Sequence, residues 1–536
     1  MSQNHHPGLD ITEYASLTDL FAKACARYAD KPAFACLGKR HSFAEINVLS
    51  DQFAAFLTHH CNLTPGDRIA IQLPNLTQFV IAAYGALKAG MVLVNTNPLY
   101  TERELIHQFK DAGAKVLVVL SDLLPTLAKV VAETPIEQVI STHALDLISP
   151  QIQPKTGLKN IEFLKALALG GEHLGPNTPF SPMPANHSTL AALQYTGGTT
   201  GLSKGAMLSH GNLIANALQC RDRLQDVITP GEDIFVAPLP IYHIYAFLVN
   251  LVLYVERGGC SVLIPNPRDI PALIKTLGQY SFTGFAGLNT LFVALCHQSE
   301  FKALDFSKLK LTISGGTALT EAASNLWQQT TGCTISEGYG LSETSPVVTL
   351  NRPRHERLGT IGKPVLATEV RILNENDEEV TQGDAGELAV RGPQVMAGYW
   401  QQAAETERVF TQDGFFKTGD IAIAEPDGCY RIVDRKKDMV LVSGFNVYPN
   451  EVENVLASHA MVLECAVIGV PDERSGEAVK AVIVLKGDSN QDEARAAIQA
   501  HCAANLAGYK QPKIIEFVDA LPKSTVGKIL RRALRS

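Results

Sequence analysis

Residues 190–205 read LAALQYTGGTTGLSKG. The first five are apolar enough for a short strand. They run straight into Tyr195, Thr196, Gly197, Gly198, Thr199, Thr200, Gly201, Leu202, Ser203, Lys204 and Gly205. Glycines let the backbone turn so that several N–H groups converge on one anion. The hydroxyls of Thr196, Thr199, Thr200 and Ser203 add donors, and Lys204 adds a positive charge. By composition this is a phosphate cradle at the end of a strand. It is not a Walker loop, because GxxxxGK[ST] would need glycine at Ser203 and Ser or Thr at Gly205. A flexible surface turn would account for the glycines but not for the hydroxyls and lysine among them.

A strand that runs into such a loop implies a sheet with ligands beyond its carboxyl edge. The flanking sequence has the matching texture. Apolar positions three and four apart predict a helix over 43–60, followed by a strand over 68–73. A helix over 78–88 stops at Gly90, and a strand over 91–95 follows. Thr101, with Glu104 three residues later, caps a helix over 101–111, and 115–120 is again a strand. This alternation predicts a parallel sheet with helices on its faces. Residues 145–187, rich in Pro, Gly and Asn, predict an irregular connection, and 309–314 form a second apolar strand ending in glycine.

From about 365 the texture becomes strand-rich, with strands over 369–373, 387–391 and 430–433 and turns at Asp413-Gly414 and Asp427-Gly428. Beyond Asp434 the charged run Arg435-Lys436-Lys437-Asp438 precedes a compact α+β pattern. The expected fold class is α/β. A large N-terminal domain of layered α/β subdomains would cover 1–433, and a small α+β domain 434–536.

Composition narrows the function. The chain has 536 residues, of which 46% are hydrophobic and 19% charged, so it can bury large cores and is not intrinsically disordered. Lys plus Arg is 46 against 54 Asp plus Glu, a net charge of −8, which argues against a nucleic-acid partner. The ten cysteines are scattered without a CxxC pair, which argues against a zinc ribbon or disulfide scaffold and predicts buried thiols in a reducing compartment. The start, MSQNHHPGLDITEYASL, lacks the apolar core of a signal peptide. The longest apolar stretch, 244–255, is interrupted by Asn250 and falls short of the ~20 residues a spanning helix needs. A cytoplasmic setting is expected, with peripheral contact to the membrane as an open extension.

Further motifs follow the loop in order. They are Tyr339-Gly340-Leu341-Ser342-Glu343-Thr344, Gly386-Glu387-Leu388-Ala389-Val390-Arg391-Gly392, Thr418-Gly419-Asp420 and Arg431-Ile432-Val433-Asp434-Arg435. Ser443-Gly444-Phe445-Asn446 and Pro522-Lys523-Ser524-Thr525-Val526-Gly527-Lys528 complete the series. Together with the 195–205 loop they resemble the signatures of the adenylate-forming enzymes, a superfamily of acyl-CoA synthetases, luciferases and peptide-synthetase adenylation domains. The match spans roughly residues 40 to 536. Its wording, as in DRKKDMVLVSGFNVYPNEVE and PKSTVGKILRRALR, is most similar to the bacterial long-chain fatty acid–CoA ligases.

The resemblance implies a ligase reaction in two halves. A fatty-acid carboxylate attacks the α-phosphorus of ATP, giving acyl-AMP and pyrophosphate; the thiol of CoA then displaces AMP. ATP and CoA would be cosubstrates and Mg²⁺ the cofactor. Two anions must meet in the first half, so fixed cations and donors carry the catalysis. Lys204 and the 196–203 loop would take the β- and γ-phosphates. Glu343 would hold Mg²⁺, although a glutamate in the first turn of a helix is favourable on its own account. Gly315, Gly316 and Thr317 would line the adenine, with Tyr339 stacked on it, Gly340 among the nucleotide-binding residues and Ser342 on a phosphate oxygen. Asp420 would accept the ribose hydroxyls, paired with Arg435. Lys528 would bridge the carboxylate and the α-phosphate. The small domain would rotate about residues 434–436 and bring Gly444 and Phe445 to the CoA arm. Lys523, Arg531, Arg532 and Arg535 are expected to be solvated and available to anionic lipid.

The acid itself is less constrained. His243 would seat the carboxylate, and Phe247 takes the place where some long-chain synthetases carry a tryptophan gate. Gly287 and Gly315 would line the acyl site, although the segment FTGFAGLNTLF over 282–292 suits core packing equally. No aspartate stands in 235–250, where amino-acid-activating relatives hold an ammonium. A medium-chain or aromatic, cinnamate-like acid is the rival within the family. Outside this reaction class stand a non-catalytic nucleotide-binding protein, which would be expected to lack Lys528, Asp420 or Glu343, and a dinucleotide oxidoreductase. For the latter, Gly338-Tyr339-Gly340 lacks the third glycine of GxGxxG because Glu343 occupies it. Oligomerisation is left open.

Overall fold

The structure, a computed structural model, describes the chain apart from residues 1–4, 7, 152–156, 176–177, 197–202, 444, 473, 488–489, 524–528 and 536, and apart from the side chains of 5 and 6. The middle of the phosphate loop, Gly444 and Lys528 therefore lie outside the described residues. Chain contacts divide the rest into two compact units. One comprises 1–358, 364–369 and 391–410; the other comprises 359–363, 370–390 and 411–536. The second unit thus takes in the strands before residue 434 that the sequence reading assigns to the large domain.

In the first unit, the helix Glu102–Ala112 shows how local chemistry sets the elements. Thr101 accepts from the Glu104 N–H while Glu104 accepts from the Thr101 N–H, and Gly113 closes the helix at φ 62°. Reciprocal caps of this kind satisfy two otherwise orphan donors. Ser42 and Glu45 repeat the device at the start of the helix Phe43–His60. The strands between such helices are almost fully buried and join into a sheet ordered Lys204–Ser209, Leu190–Thr196, Val92–Asn95, Arg68–Gln72, Ala114–Leu120, Gln138–Thr142, Ile161–Glu162. It is parallel except for the hairpin of its first two strands.

A second sheet follows the order Val347–Leu350, Ile335–Gly340, Leu311–Ser314, Gly284–Gly287, Ile234–Ala237, Cys260–Leu263, Pro32–Cys36, Lys39–Ser42. Its interior pairs are parallel and its edges antiparallel. Phe285, Phe292, Phe301 and Trp327 pack together in the core beside it, Trp327 being fully buried.

One expectation is corrected here. Residues 145–187 contain the helix Phe163–Gly171, which packs on Phe43–His60. A Cβ at Gly170 would fall 1.8 Å from the Gln52 carbonyl oxygen, so glycine here is what allows the two helices to touch. The apolar stretch noted in the sequence forms a continuous helical run, Ile244–Phe247, Leu248–Leu253 with π geometry, and Tyr254–Glu256, all but Tyr245 buried. Among the described residues no helix is long and apolar enough to cross a membrane. All ten cysteines are buried and unbridged, as expected.

In the second unit, the strands Ala385–Arg391, Phe416–Ala424 and Tyr430–Arg435 pair antiparallel. A further sheet is ordered Phe445–Val447, Val440–Val442, Gly476–Leu485, Val462–Asp472, with Ile514–Phe517 alongside Gly476–Leu485. The helices Pro449–Ala457 and Gln491–Asn505 contribute Val452, Leu456, Ile498 and Cys502 to its core.

Candidate active site

Four adjacent parallel strands of the second sheet gather most of the expected residues in the first unit. Ile234–Ala237 leads to His243 and Phe247, and Gly284–Gly287 ends at Gly287. Leu311–Ser314 runs into Gly315 and Gly316, and Ile335–Gly340 carries Tyr339 and runs into Ser342 and Glu343. Ser314 pairs with Glu337, so the last two segments leave one carboxyl edge side by side. This is where ligands sit in open α/β sheets.

The individual placements differ in kind. Gly316 has φ 89° and open space where a side chain would lie, whereas Gly315 faces the Tyr245 ring and the Gly338 carbonyl. Gly340 is required sterically, because a Cβ there would stand 1.9 Å from the Pro346 oxygen. His243 caps the helical run, its Nδ1 accepting the Tyr245 N–H at 3.4 Å. Phe247 is 2% exposed. Gly287 lies against Phe292, and Phe282, Phe285 and Phe292 are buried in the core cluster, so the aromatic rings of this segment serve packing. Glu337, one strand position before Gly338, accepts the Leu319 N–H at 2.9 Å. Burial pushes its carboxyl up to about 7.

The expected phosphate loop falls between the paired strands Leu190–Thr196 and Lys204–Ser209, with Thr196 opposite Lys204. Tyr195 braces the base of that hairpin: its hydroxyl meets Asp111 Oδ2 at 2.5 Å and its ring covers Gly205. His107 Nε2 donates to the Ser203 carbonyl at 2.8 Å. Lys204 Nζ donates to Glu405 Oε2 at 2.5 Å and lies 5.2 Å from the centre of the Tyr399 ring.

Tyr399 in turn donates its hydroxyl to Glu343 Oε1 at 2.8 Å. Burial first, then the Glu343 charge, push the phenol's pKa up, so it remains a donor. The segment that carries Tyr399 is stitched to the hairpin by Met207 N to Gly398 O, Ala397 N to Met207 O and Trp400 N to Gly205 O. The Met396 N–H also donates to the Glu343 carbonyl at 2.8 Å. Sequence reasoning missed Tyr399, Glu405 and Asp111. The only local signal was Gly398-Tyr399-Trp400, an aromatic pair behind a glycine.

The second unit holds its own cluster. Asp420 and Arg435 are direct cross-strand partners, with Arg435 Nε 3.4 Å from Asp420 Oδ1, as their pairing in the sequence reading requires. Glu387 ties the end of that ladder away from the hairpin turn, accepting from the Gly419 N–H at 3.0 Å and Lys436 Nζ at 2.9 Å. Phe445 is 57% exposed and stacks on Tyr509 with ring centres 4.9 Å apart.

The basic tail departs from expectation. Arg531 is surrounded by Asp434, Asp438, Glu453 and Asn450. Lys523 pairs with Glu464 and Arg535 with Asp438. Of the four cations expected to be solvated, three are engaged by carboxylates, because Glu453 of the helix Pro449–Ala457, Asp434 and Glu464 of neighbouring strands, and Asp438 lie where sequence spacing does not show them. Arg532 is exposed.

Comparison with known proteins places these features in a family. The model of the AMP-binding enzymes matches residues 21–400, and that of the AMP-binding enzyme C-terminal domain matches 451–528. A long-chain-fatty-acid–CoA ligase of Yersinia pestis is 47% identical over 98% of this chain and 95% of its own. The crystal structure of an anthranilate CoA ligase, AuaEII, in complex with anthranoyl-AMP superimposes with a TM-score of 0.88 at 26% identity, covering 98% of each chain. ATP-bound MatB from Rhodopseudomonas palustris superimposes at 0.83 with 30% identity, over 97% of this chain and 98% of that one.

Proposed function

The chain belongs to the AMP-binding enzyme family, and on that premise we propose the roles of its residues in an AMP-forming fatty acid–CoA ligase. The enzyme activates a fatty-acid carboxylate with ATP and passes the acyl group to CoA. The observation that carries the assignment is the convergence of Gly315, Gly316, Tyr339 and Glu343 at one carboxyl edge.

Adenylation brings a carboxylate against a polyphosphate, so the chain's own charges do most of the work. Lys204 and the loop around it hold the β- and γ-phosphates. Tyr339 and Gly316 receive the adenine, Ser342 donates to a phosphate oxygen, and Asp420 with Arg435 orients the ribose. Lys528 stands between carboxylate and α-phosphate. His243 seats the carboxylate, and the buried Phe247 bounds the acyl chain. The small domain then turns about residues 434–436, and Gly444 and Phe445 guide the thiol of CoA.

Glu343 fits a magnesium site. It is a buried carboxylate, a hard donor, and no group of three or more His, Cys, Asp or Glu side chains forms a cage among the described residues. Mg²⁺ commonly takes one or two carboxylates and completes its shell with phosphates and water. When bound, the ion would neutralise charge on the departing pyrophosphate. Peripheral membrane contact through the 523–535 stretch is a weaker part of the proposal, since the ion pairs at Lys523, Arg531 and Arg535 reduce its available charge.

ATP–pyrophosphate exchange over acids of increasing chain length, followed by thioester formation with CoA, tests the reading. Exchange should rise with chain length. Preference for a cinnamate-like acid would favour the aromatic alternative that the structural likeness to an anthranilate ligase keeps in view. No exchange with any acid would favour the non-catalytic one.

A further inference from the structure

Lys204 is matched by an anion of its own chain. Glu405 lies in the first turn of the short helix Ala403–Val409 and is gripped by two cations, Lys204 on Oε2 at 2.5 Å and Arg408 on Oε1 at 2.6 Å. The side chains of Lys204 and Glu405 are about one-third exposed, so the pair sits at the mouth of the site rather than in the core. The pair holds the carboxylate's pKa below its ordinary range, so Glu405 is charged at neutral pH. The supporting strap cannot drift away, because its backbone is bonded to the strand that begins with Lys204. Thr406 adds a lock by accepting the Tyr399 N–H at 2.9 Å.

The geometry points to Glu405 as a positioning residue that acts as an internal counter-ion for Lys204, exchanged for the triphosphate when ATP binds and restored when pyrophosphate leaves. The inference rests on the reading of Lys204 as a phosphate ligand. An ammonium that trades one anion for another gains less than one that starts unpaired. The held carboxylate also repels the polyanion that replaces it. Both effects weaken nucleotide binding and hasten pyrophosphate release without touching the reacting atoms. Held 5.2 Å from the Tyr399 ring, the ammonium keeps its place beside the Glu343 assembly.

The test measures adenylation kinetics of the full chain with ATP varied and pyrophosphate as product inhibitor. Glu405→Gln should lower the KM for ATP about 3- to 5-fold, the size expected of a partly exposed ion pair, and strengthen pyrophosphate inhibition by a similar factor. Glu405→Asp, which keeps the charge, should stay near wild type. The Gln effect should shrink as salt rises from about 0.05 to about 0.5 M, which a purely structural role would not do. Lys204→Ala serves as the control for the underlying reading and should raise the KM for ATP. If it does, while Glu405→Gln leaves KM unchanged or higher, the counter-ion role is wrong and the lysine assignment stands. If Lys204→Ala has no effect on ATP or pyrophosphate, the lysine assignment itself falls. An unchanged circular dichroism melt excludes unfolding of either variant.

Discussion

Arg531 donates to the carboxylate of Asp434 at 3.2 Å, and that carboxylate is 0% exposed. The same guanidinium reaches Glu453 at 2.8 Å and Asp438 at 3.5 Å. Asp434 closes the strand Tyr430–Arg435, and Arg531 follows Lys528 by three residues. One cation therefore ties the tail to the strand end and to the helix Pro449–Ala457. Removing one member of a buried charge cluster leaves the others uncompensated, at a cost of about 3–5 kcal/mol. Arg531→Met should destabilise the second unit by that order in urea unfolding of the full chain, with Arg531→Lys recovering part. A loss below about 1 kcal/mol would show that the cluster is not structural.

The same pair has a pH signature. Burial raises the Asp434 carboxyl to about 6, against the opposing pull of Arg531 and two backbone N–H groups. The folded state therefore keeps the proton at pH values where the unfolded chain, with an ordinary value of 3.8, has lost it. Stability from this group is present below about pH 4 and is lost as pH rises through 6. Asp434→Asn removes the titration. The difference in unfolding free energy between variant and wild type should shift toward the variant by up to about 3 kcal/mol between pH 4 and 7. A difference flat in pH over that window would contradict the assignment.

Tyr399 holds Glu343 from one side. Partners that orient a metal ligand are typically worth about 10- to 100-fold in metal affinity or activity. Tyr399→Phe keeps the ring beside Lys204 and deletes only the hydroxyl bonded to Glu343. Pyrophosphate release titrated against Mg²⁺ should then require about tenfold more metal for half-maximal rate. An identical Mg²⁺ curve would mean that the hydroxyl does not orient the carboxylate.

What the sequence made legible was local. Thr101 and Glu104 announce a capping box three residues apart, and the hairpin pair Asp420 and Arg435 is legible because one turn separates them. What it hid was tertiary. Lys88 ends the helix expected over 78–88, and nothing in its neighbours announces that it is buried against Asp51 at 2.6 Å. Glu405 lies 201 residues from Lys204, and nothing in its own neighbourhood marks it as a partner. The need for glycine at Gly170 was hidden because the Gln52 backbone that fills the place of a side chain belongs to another helix. Patterns of period two or 3.6 predict elements, whereas charge partners across the fold follow from packing alone.

The roles proposed for Lys528 and Gly444 would separate the two half-reactions. Attack on ATP brings a carboxylate against an anionic phosphate, and Lys528 is the cation assigned between them. The thioester step has no such encounter, and under the proposed rotation Gly444 would by then serve the thiol. Loss of one preorganised charge donor typically costs about 10²–10³-fold in rate. Lys528→Ala should therefore slow pyrophosphate release by at least that order, while the same variant converts synthetic acyl-AMP and CoA to thioester at near-native rate. Gly444→Trp should show the reverse, adenylating normally and stalling at the thiol. The Arg531 variants sharpen the contrast. Arg531 anchors the tail three residues beyond Lys528, so Arg531→Lys should lean toward the Lys528 pattern rather than the Gly444 pattern. Single-turnover assays with each half-reaction isolated decide the matter. Equal slowing of both steps in Lys528→Ala, with an unchanged melt, would remove the two-conformation mechanism's main support in this chain.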